Sequence, residues 1–312
     1  MQMLAAGFLL VIVIGGILLW LPVCNQEPIA FTDALFTSTS AVCVTGLMTV
    51  VPATQFTLLG KVVLLVLIQI GGLGVVAVST FFLVVIGRKI TVKERVMIQE
   101  TYNMESLSGM VKWILRILKG TFVVEGIGAI FFAFQFIPEY GFLKGIWYSV
   151  FHSISAFCNA GIDILGADSF AAYARNPLIN LTTMILIVAG GIGYTVWFDI
   201  IDNIRNFRKK GERRRGMFKI LTLNSKVALT MTAILIVTGT VSFLFLELSN
   251  PDTLGEFSFG DKVMGAAFQS VTTRTAGFFT VPQGDLREES VFISCLLMFI
   301  GGSPAGTAGG VK

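Results

Sequence analysis

The sequence predicts an all-α integral membrane protein assembled from repeated units of helix, re-entrant loop and helix. Three observations predict it. Of 312 residues, 54% are hydrophobic and only 13% are charged, where a soluble domain carries about 25% charged residues. Six segments meet or approach the length of about 20 apolar residues that crosses a bilayer: residues 3–21, 62–86, 120–137, 178–198, 227–246 and 291–310. A hydroxyl-bearing, glycine-ended stretch recurs between them at a nearly constant interval.

The first unit, repeat A, covers residues 1–90. Its opening apolar segment has no basic stretch before it and no A-x-A site after it, so it reads as a retained helix and not a cleaved signal. The stretch "FTSTSAVCVTGL" (36–47) follows. It is uncharged, yet Thr37, Ser38, Thr39, Ser40 and Thr45 make it a poor lipid-facing helix. Residues 91–119 form a cytoplasmic amphipathic connection. Repeat B covers 120–204 and carries "FHSISAFCNAGI" (151–162). Glu125 interrupts its first apolar segment; a mid-bilayer charge costs roughly 2.5–3.5 kcal/mol, so this side chain faces protein or water, or else lies near the interface. A basic loop, 205–224, leads to repeat C at 225–312, with "FQSVTTRTAGF" (268–278). The glycines that end the three stretches, Gly46, Gly161 and Gly277, are 115 and 116 residues apart.

The connections alternate in charge. Arg88, Lys89, Lys93, Arg95, Lys112, Arg116 and Lys119 follow the second apolar segment, and "FRKKGERRRG" follows the fourth, whereas the remaining connections are acidic. Basic loops stay in the cytoplasm. This places the amino terminus inside, the glycine-ended stretches toward the outside, and the protein in the plasma membrane as a multi-pass chain. The basic run is a topology anchor and a contact for anionic membrane lipid; a nucleic-acid partner is not expected.

Each glycine-ended stretch is too short to cross and returns to the side it left. Non-helical backbone at membrane depth survives only when buried in protein or lining a water-filled cavity. A short helix presents a negative carboxyl end to a cation, and extended residues beyond it offer carbonyl oxygens in place of hydration water. Glycine admits the backbone angles needed, and the hydroxyls can pair with backbone inside the short helix. The candidate ion-coordinating groups are the carbonyls of Val44, Thr45 and Gly46, of Asn159, Ala160 and Gly161, and of Thr275, Ala276 and Gly277. The alternative is a glycine-rich packing seam. Arg274, close to Gly277, is expected to point behind such a filter, since a cation on the axis would repel the ion.

The last apolar segment ends in "GGSPAGTAGG": Gly301, Gly302, Ser303, Pro304, Ala305, Gly306, Thr307, Ala308, Gly309 and Gly310. Five glycines and a proline do not sustain a helix. The segment reads as a break midway along the second helix of repeat C that obstructs the path beneath the filter, or as a frayed chain end. It is not a Walker loop, because Lys312 is separated from Gly310 by Val311. The clusters "QIGGLG" (69–74) and "AGGIG" (189–193) read as close-packing surfaces, and Asp199 as a partner in a local structural bond. Cys24, Cys43, Cys158 and Cys295 show no metal-ligand spacing, and the single histidine, His152, has no second histidine to make a metal or enzyme site with. An enzyme is not expected. A secondary transporter with re-entrant hairpins is the competing transport reading, though such proteins often carry inverted repeats, and here the basic loops set all the repeats parallel.

Together, "SAVCVTGL", "QIGGLG", "SAFCNAGI", "SVTTRTAGF" and "GGSPAGTAGGVK" resemble the Trk/Ktr/HKT superfamily of potassium transporters, and the KtrB-type membrane subunit in particular. The resemblance spans essentially the whole chain. It implies a potassium-channel-like fold with four repeats around one central pore. It also implies one filter glycine per repeat (Gly46, Gly161 and Gly277 here), an intramembrane gate loop at 301–310, and passive conduction of potassium. A homodimer on a cytosolic, nucleotide-binding, KtrA-like regulatory ring is implied as well, with the nucleotide on that partner, no cofactor on this chain, and sodium as a possible activator. On this reading the chain is truncated within the third of four repeats, the fourth is absent, and a short amino-terminal stretch is missing.

Overall fold

The computed structural model describes residues 2–86, 91, 109–210 and 220–311. Most of the expected amphipathic connection (92–108) and the core of the basic loop (211–219) lie outside the described residues.

The described elements are helical, apart from isolated bridges. They are α1 Gln2–Trp20, α2 Phe31–Val42, α3 Pro52–Gln55, α4 Leu58–Leu73, α5 Val75–Val85, α6 Met110–Tyr140, α7 Phe142–Phe157, α8 Pro177–Gly191, α9 Tyr194–Lys210, α10 Leu223–Glu247, α11 Phe259–Thr272 and α12 Glu288–Phe299. Local chemistry sets several starts. Asn176 accepts from the Leu178 and Ile179 amides while Pro177 takes the first helical position of α8. Thr57, Thr222 and Ser258 cap α4, α10 and α11 by accepting from the Gly60, Ser225 and Asp261 amides.

Three equivalent bundles result: α1 with α2 and α4, α6 with α7 and α8, and α10 with α11 and α12. One contact set builds each of them. A glycine of the first helix (Gly15, Gly128, Gly239) faces a serine of the short helix (Ser38, Ser153, Ser270) and a leucine of the second (Leu67, Leu186, Leu297). The serine hydroxyl donates to a carbonyl one turn before that glycine: Ser38 to Ile12 at 2.8 Å, Ser153 to Glu125 at 2.6 Å, Ser270 to Ile236 at 2.9 Å. These hydroxyls therefore tie the short helix to its neighbour. Others do pair within the short helix, as the sequence suggests; Thr39 donates to the Leu35 carbonyl at 2.7 Å.

The short helices do not cross. At 1.5 Å per residue, α2 with 12 residues is about 18 Å long and α11 with 14 about 21 Å, short of the roughly 30 Å hydrocarbon core. Two expected spans need correction. Residues 62–86 are not one helix: α4 and α5 meet at 100° across Gly74. Residues 178–198 divide likewise, α8 and α9 meeting at 96°. Gly74 (φ +83°) and Gly193 (φ +87°) hold the left-handed conformations that open these breaks. The glycine clusters read as packing surfaces are thus also hinges in the chain path. By length and composition α6 and α10 can each cross a membrane, and so can each bent pair read as one span.

Candidate pore-lining site

Each short helix ends in the same backbone turn. Val44 (φ +55°), Asn159 (φ +56°) and Thr275 (φ +71°) are left-handed, and so are Gly46 (φ +80°), Gly161 (φ +64°) and Gly277 (φ +109°), two residues later in each case. A β-branched residue at positive φ is a sterically strained choice, and two of the three turns adopt it. The amides between are held back onto the short helix: Thr45 N–H donates to Ser40 C=O at 2.9 Å, Ala160 to Ser155 at 2.8 Å, Ala276 to Thr272 at 2.9 Å. A hydroxyl secures the chain after the glycine in two turns. Ser155 Oγ donates to the Ile162 carbonyl at 2.6 Å, and Thr272 Oγ1 to the Phe278 carbonyl at 2.5 Å.

The three turns meet. A Cβ built on Gly46 would lie 2.8 Å from the Ala160 carbonyl oxygen and 3.3 Å from that of Ala276. One on Gly277 would lie 3.3 Å from the Gly161 Cα and 3.7 Å from the Gly46 Cα. One on Gly161 would collide with the Ala276 carbonyl and stand 2.6 Å from the Gly277 Cα. Backbone here faces backbone, with no room for a side chain. Beside the turns opens a cavity of about 450 Å³ lined by residues 43–47, by Thr272, Thr273 and residues 275–279, and by Met298, Gly309 and Gly310. It lies between the first and third turns.

Residues 301–310 fold back on themselves: Gly301 N–H donates to Val311 C=O at 3.0 Å and Gly302 N–H to Gly309 C=O at 3.2 Å. The loop docks into the break between α8 and α9. Ser303 N–H donates to Gly191 C=O at 2.9 Å, Thr307 N–H to Gly190 C=O at 3.1 Å, and Tyr194 N–H to Ala305 C=O at 2.8 Å. It also touches two turns. Asn159 Nδ2 donates to Thr307 Oγ1 at 2.8 Å, that hydroxyl donates to Phe157 C=O at 2.9 Å, and Gly309 N–H donates to Thr275 Oγ1 at 3.0 Å.

Arg274 is buried beside Ile187, Val188 and Gly191 of α8 and Gly302 and Ala308 of the loop, in a small separate cavity. Glu125 is 4% exposed and accepts from Gln69 Nε2 at 3.0 and 3.3 Å, so it faces protein at the junction of the first two bundles. Asp199 accepts from the Thr222 amide at 2.9 Å and the Thr222 hydroxyl at 2.8 Å, pinning α9 to the start of α10. Gln69 had no visible signal in the sequence beyond its place before a glycine cluster, because its partner is 56 residues away.

A family model described as TrkH, cation transport protein, matches residues 1–312. The chain belongs to the TrkH cation transport protein family. This TrkH-family chain is 41% identical to the potassium/sodium uptake protein NtpJ of Enterococcus hirae over 313 residues, covering 100% of the chain and 66% of that protein. It is 40% identical to the Ktr system potassium uptake protein B of Bacillus subtilis, covering 100% of the chain and 67% of that protein. It spans about two thirds of the length of these curated relatives. The crystal structure of the potassium transporter TrkH from Vibrio parahaemolyticus superposes with a TM-score of 0.69 at 20% identity, covering 97% of this chain and 58% of that one, which shows a shared fold. The protein is thus a membrane protein of a transport family, and its matched relatives are transporters, not enzymes.

Proposed function

We propose that this chain supplies three walls of a cation pore that conducts potassium passively, with the carbonyls of residues 44–46, 159–161 and 275–277 as the filter. The observation that carries the reading is the meeting of three turns with one backbone conformation, glycine against glycine. Packed backbone of this kind offers oxygens fixed in place of hydration water. The relatives' names, potassium/sodium uptake and potassium uptake, supply the ion class. A fourth equivalent turn would sit in the cavity between the first and third. Residues 301–310 act as the gate, hydrogen-bonded to the turns above and to the helix break beside them. The amino terminus is cytoplasmic, and the basic loops meet anionic lipid and a cytosolic regulatory partner. That partner is a nucleotide-binding ring carrying a homodimer of this subunit, with sodium as a possible activator.

The test is Gly46→Ser in the complete protein reconstituted in liposomes. A side chain there meets two carbonyl oxygens, so potassium-over-sodium selectivity is expected to collapse. Unchanged selectivity in a folded variant contradicts the filter assignment. Substrate-coupled counterflow would instead favour a secondary transporter.

A further inference from the structure

We propose that His152 is the positioning residue of the second turn: a neutral imidazole, protonated on Nδ1, that splints the short helix α7 to the chain leaving Gly161. The inference rests on the reading of the turns as a filter. His152 is fully buried. Its Nδ1 stands 2.7 Å from the Tyr148 carbonyl oxygen. A backbone carbonyl only accepts, so Nδ1 carries the proton. Its Nε2 stands 3.4 Å from the Ile164 amide nitrogen. A backbone amide only donates, so Nε2 is bare. Both ring nitrogens are therefore committed, and one tautomer satisfies both. Phe132, Phe136, Phe151 and Phe170 surround the ring, their centroids 5.3–6.4 Å from its own, which fixes its plane.

The third repeat shows the same device in other chemistry. Gln269 holds the position after the shared phenylalanine, as His152 does. Its side chain exchanges two hydrogen bonds with Gln283, at 2.7 and 3.1 Å, and Gln283 Nε2 donates to the Val281 carbonyl at 2.9 Å. There too a side chain of the short helix reaches the chain beyond the filter glycine. In the first repeat Thr37 occupies this place, too short for that span, and its buried hydroxyl has no hydrogen-bond partner among the described residues.

Three variants of the complete protein in liposomes test this, with potassium and sodium fluxes as the readout. His152→Phe keeps the ring and removes both hydrogen bonds; selectivity is expected to fall about tenfold, the scale of one lost backbone tie. His152→Gln retains a donor and an acceptor, as at Gln269, and is expected to keep most of it. Gly161→Ser is the control. If Gly161→Ser loses selectivity while His152→Phe matches the parent, the splint is refuted and the filter stands. If Gly161→Ser matches the parent, the filter reading fails and the splint falls with it. Nitrogen-15 NMR of histidine-labelled parent protein reads the tautomer independently of flux. A protonated Nδ1 with a bare Nε2 is expected, and an Nε2–H tautomer or an imidazolium overturns the proposal.

Discussion

At Gly128 one missing methyl group decides how two helices meet. A Cβ there would come within 2.5 Å of Ser153 Oγ and 2.7 Å of Leu186 Cδ1, and the equivalents at Gly15 and Gly239 meet the same pair of residue types. Gly128→Ala is expected to destabilise by about 1–3 kcal/mol, the usual scale of overpacking, read as a lower melting temperature in detergent. Ser153→Ala removes one hydrogen bond, worth about 1 kcal/mol, but also clears the space. The double variant should therefore be more stable than the sum of the two predicts; strict additivity would contradict the contact. The serine was visible in the sequence as the third residue of all three stretches. Its direction was not, because its acceptor is a backbone carbonyl on another helix, and carbonyls leave no trace in a residue pattern.

Among the elements, the helix breaks carry the consequence. The interruption at 301–310 was legible from its glycines and Pro304. That at Gly74 was not, since 62–86 reads as a single apolar segment and nothing distinguishes Gly74 from Gly71 and Gly72 beside it until its φ is known to be +83°. The breaks also explain how the loop is held: Gly190 and Gly191 accept from Thr307 and Ser303, and carbonyls at a helix end are free to do so. If the loop obstructs the path, deleting 303–307 should raise potassium flux in liposomes, although the Asn159–Thr307 hydrogen bond at the second turn goes with it. Equal flux with and without the segment would remove the gate. The Arg116–Asp202 pair, partly exposed at both ends, braces α6 against α9 at the far end of the same half-helix; exposed pairs contribute little to stability, so its role is orientation.

Across the whole molecule, the bundles follow one another in a regular way: α4 packs on α7 of the next bundle, and α8 on α11 of the one after. Repetition was the most legible property of the sequence, since a spacing of 115 and 116 residues survives even where the quoted stretches differ in most side chains. Which surfaces of the bundles meet was not legible, because those contacts rest on Gln69, Glu125 and Cys158 at one junction, residues with no shared spacing. The central claim is that peptide oxygens from equivalent turns surround the passing ion. Anomalous diffraction from crystals of the complete protein grown in rubidium tests it most directly. An anomalous peak enclosed by the backbone oxygens of residues 44–46, 159–161 and 275–277 is the expected result. Rubidium bound elsewhere in the membrane region, with none between these turns, would contradict it.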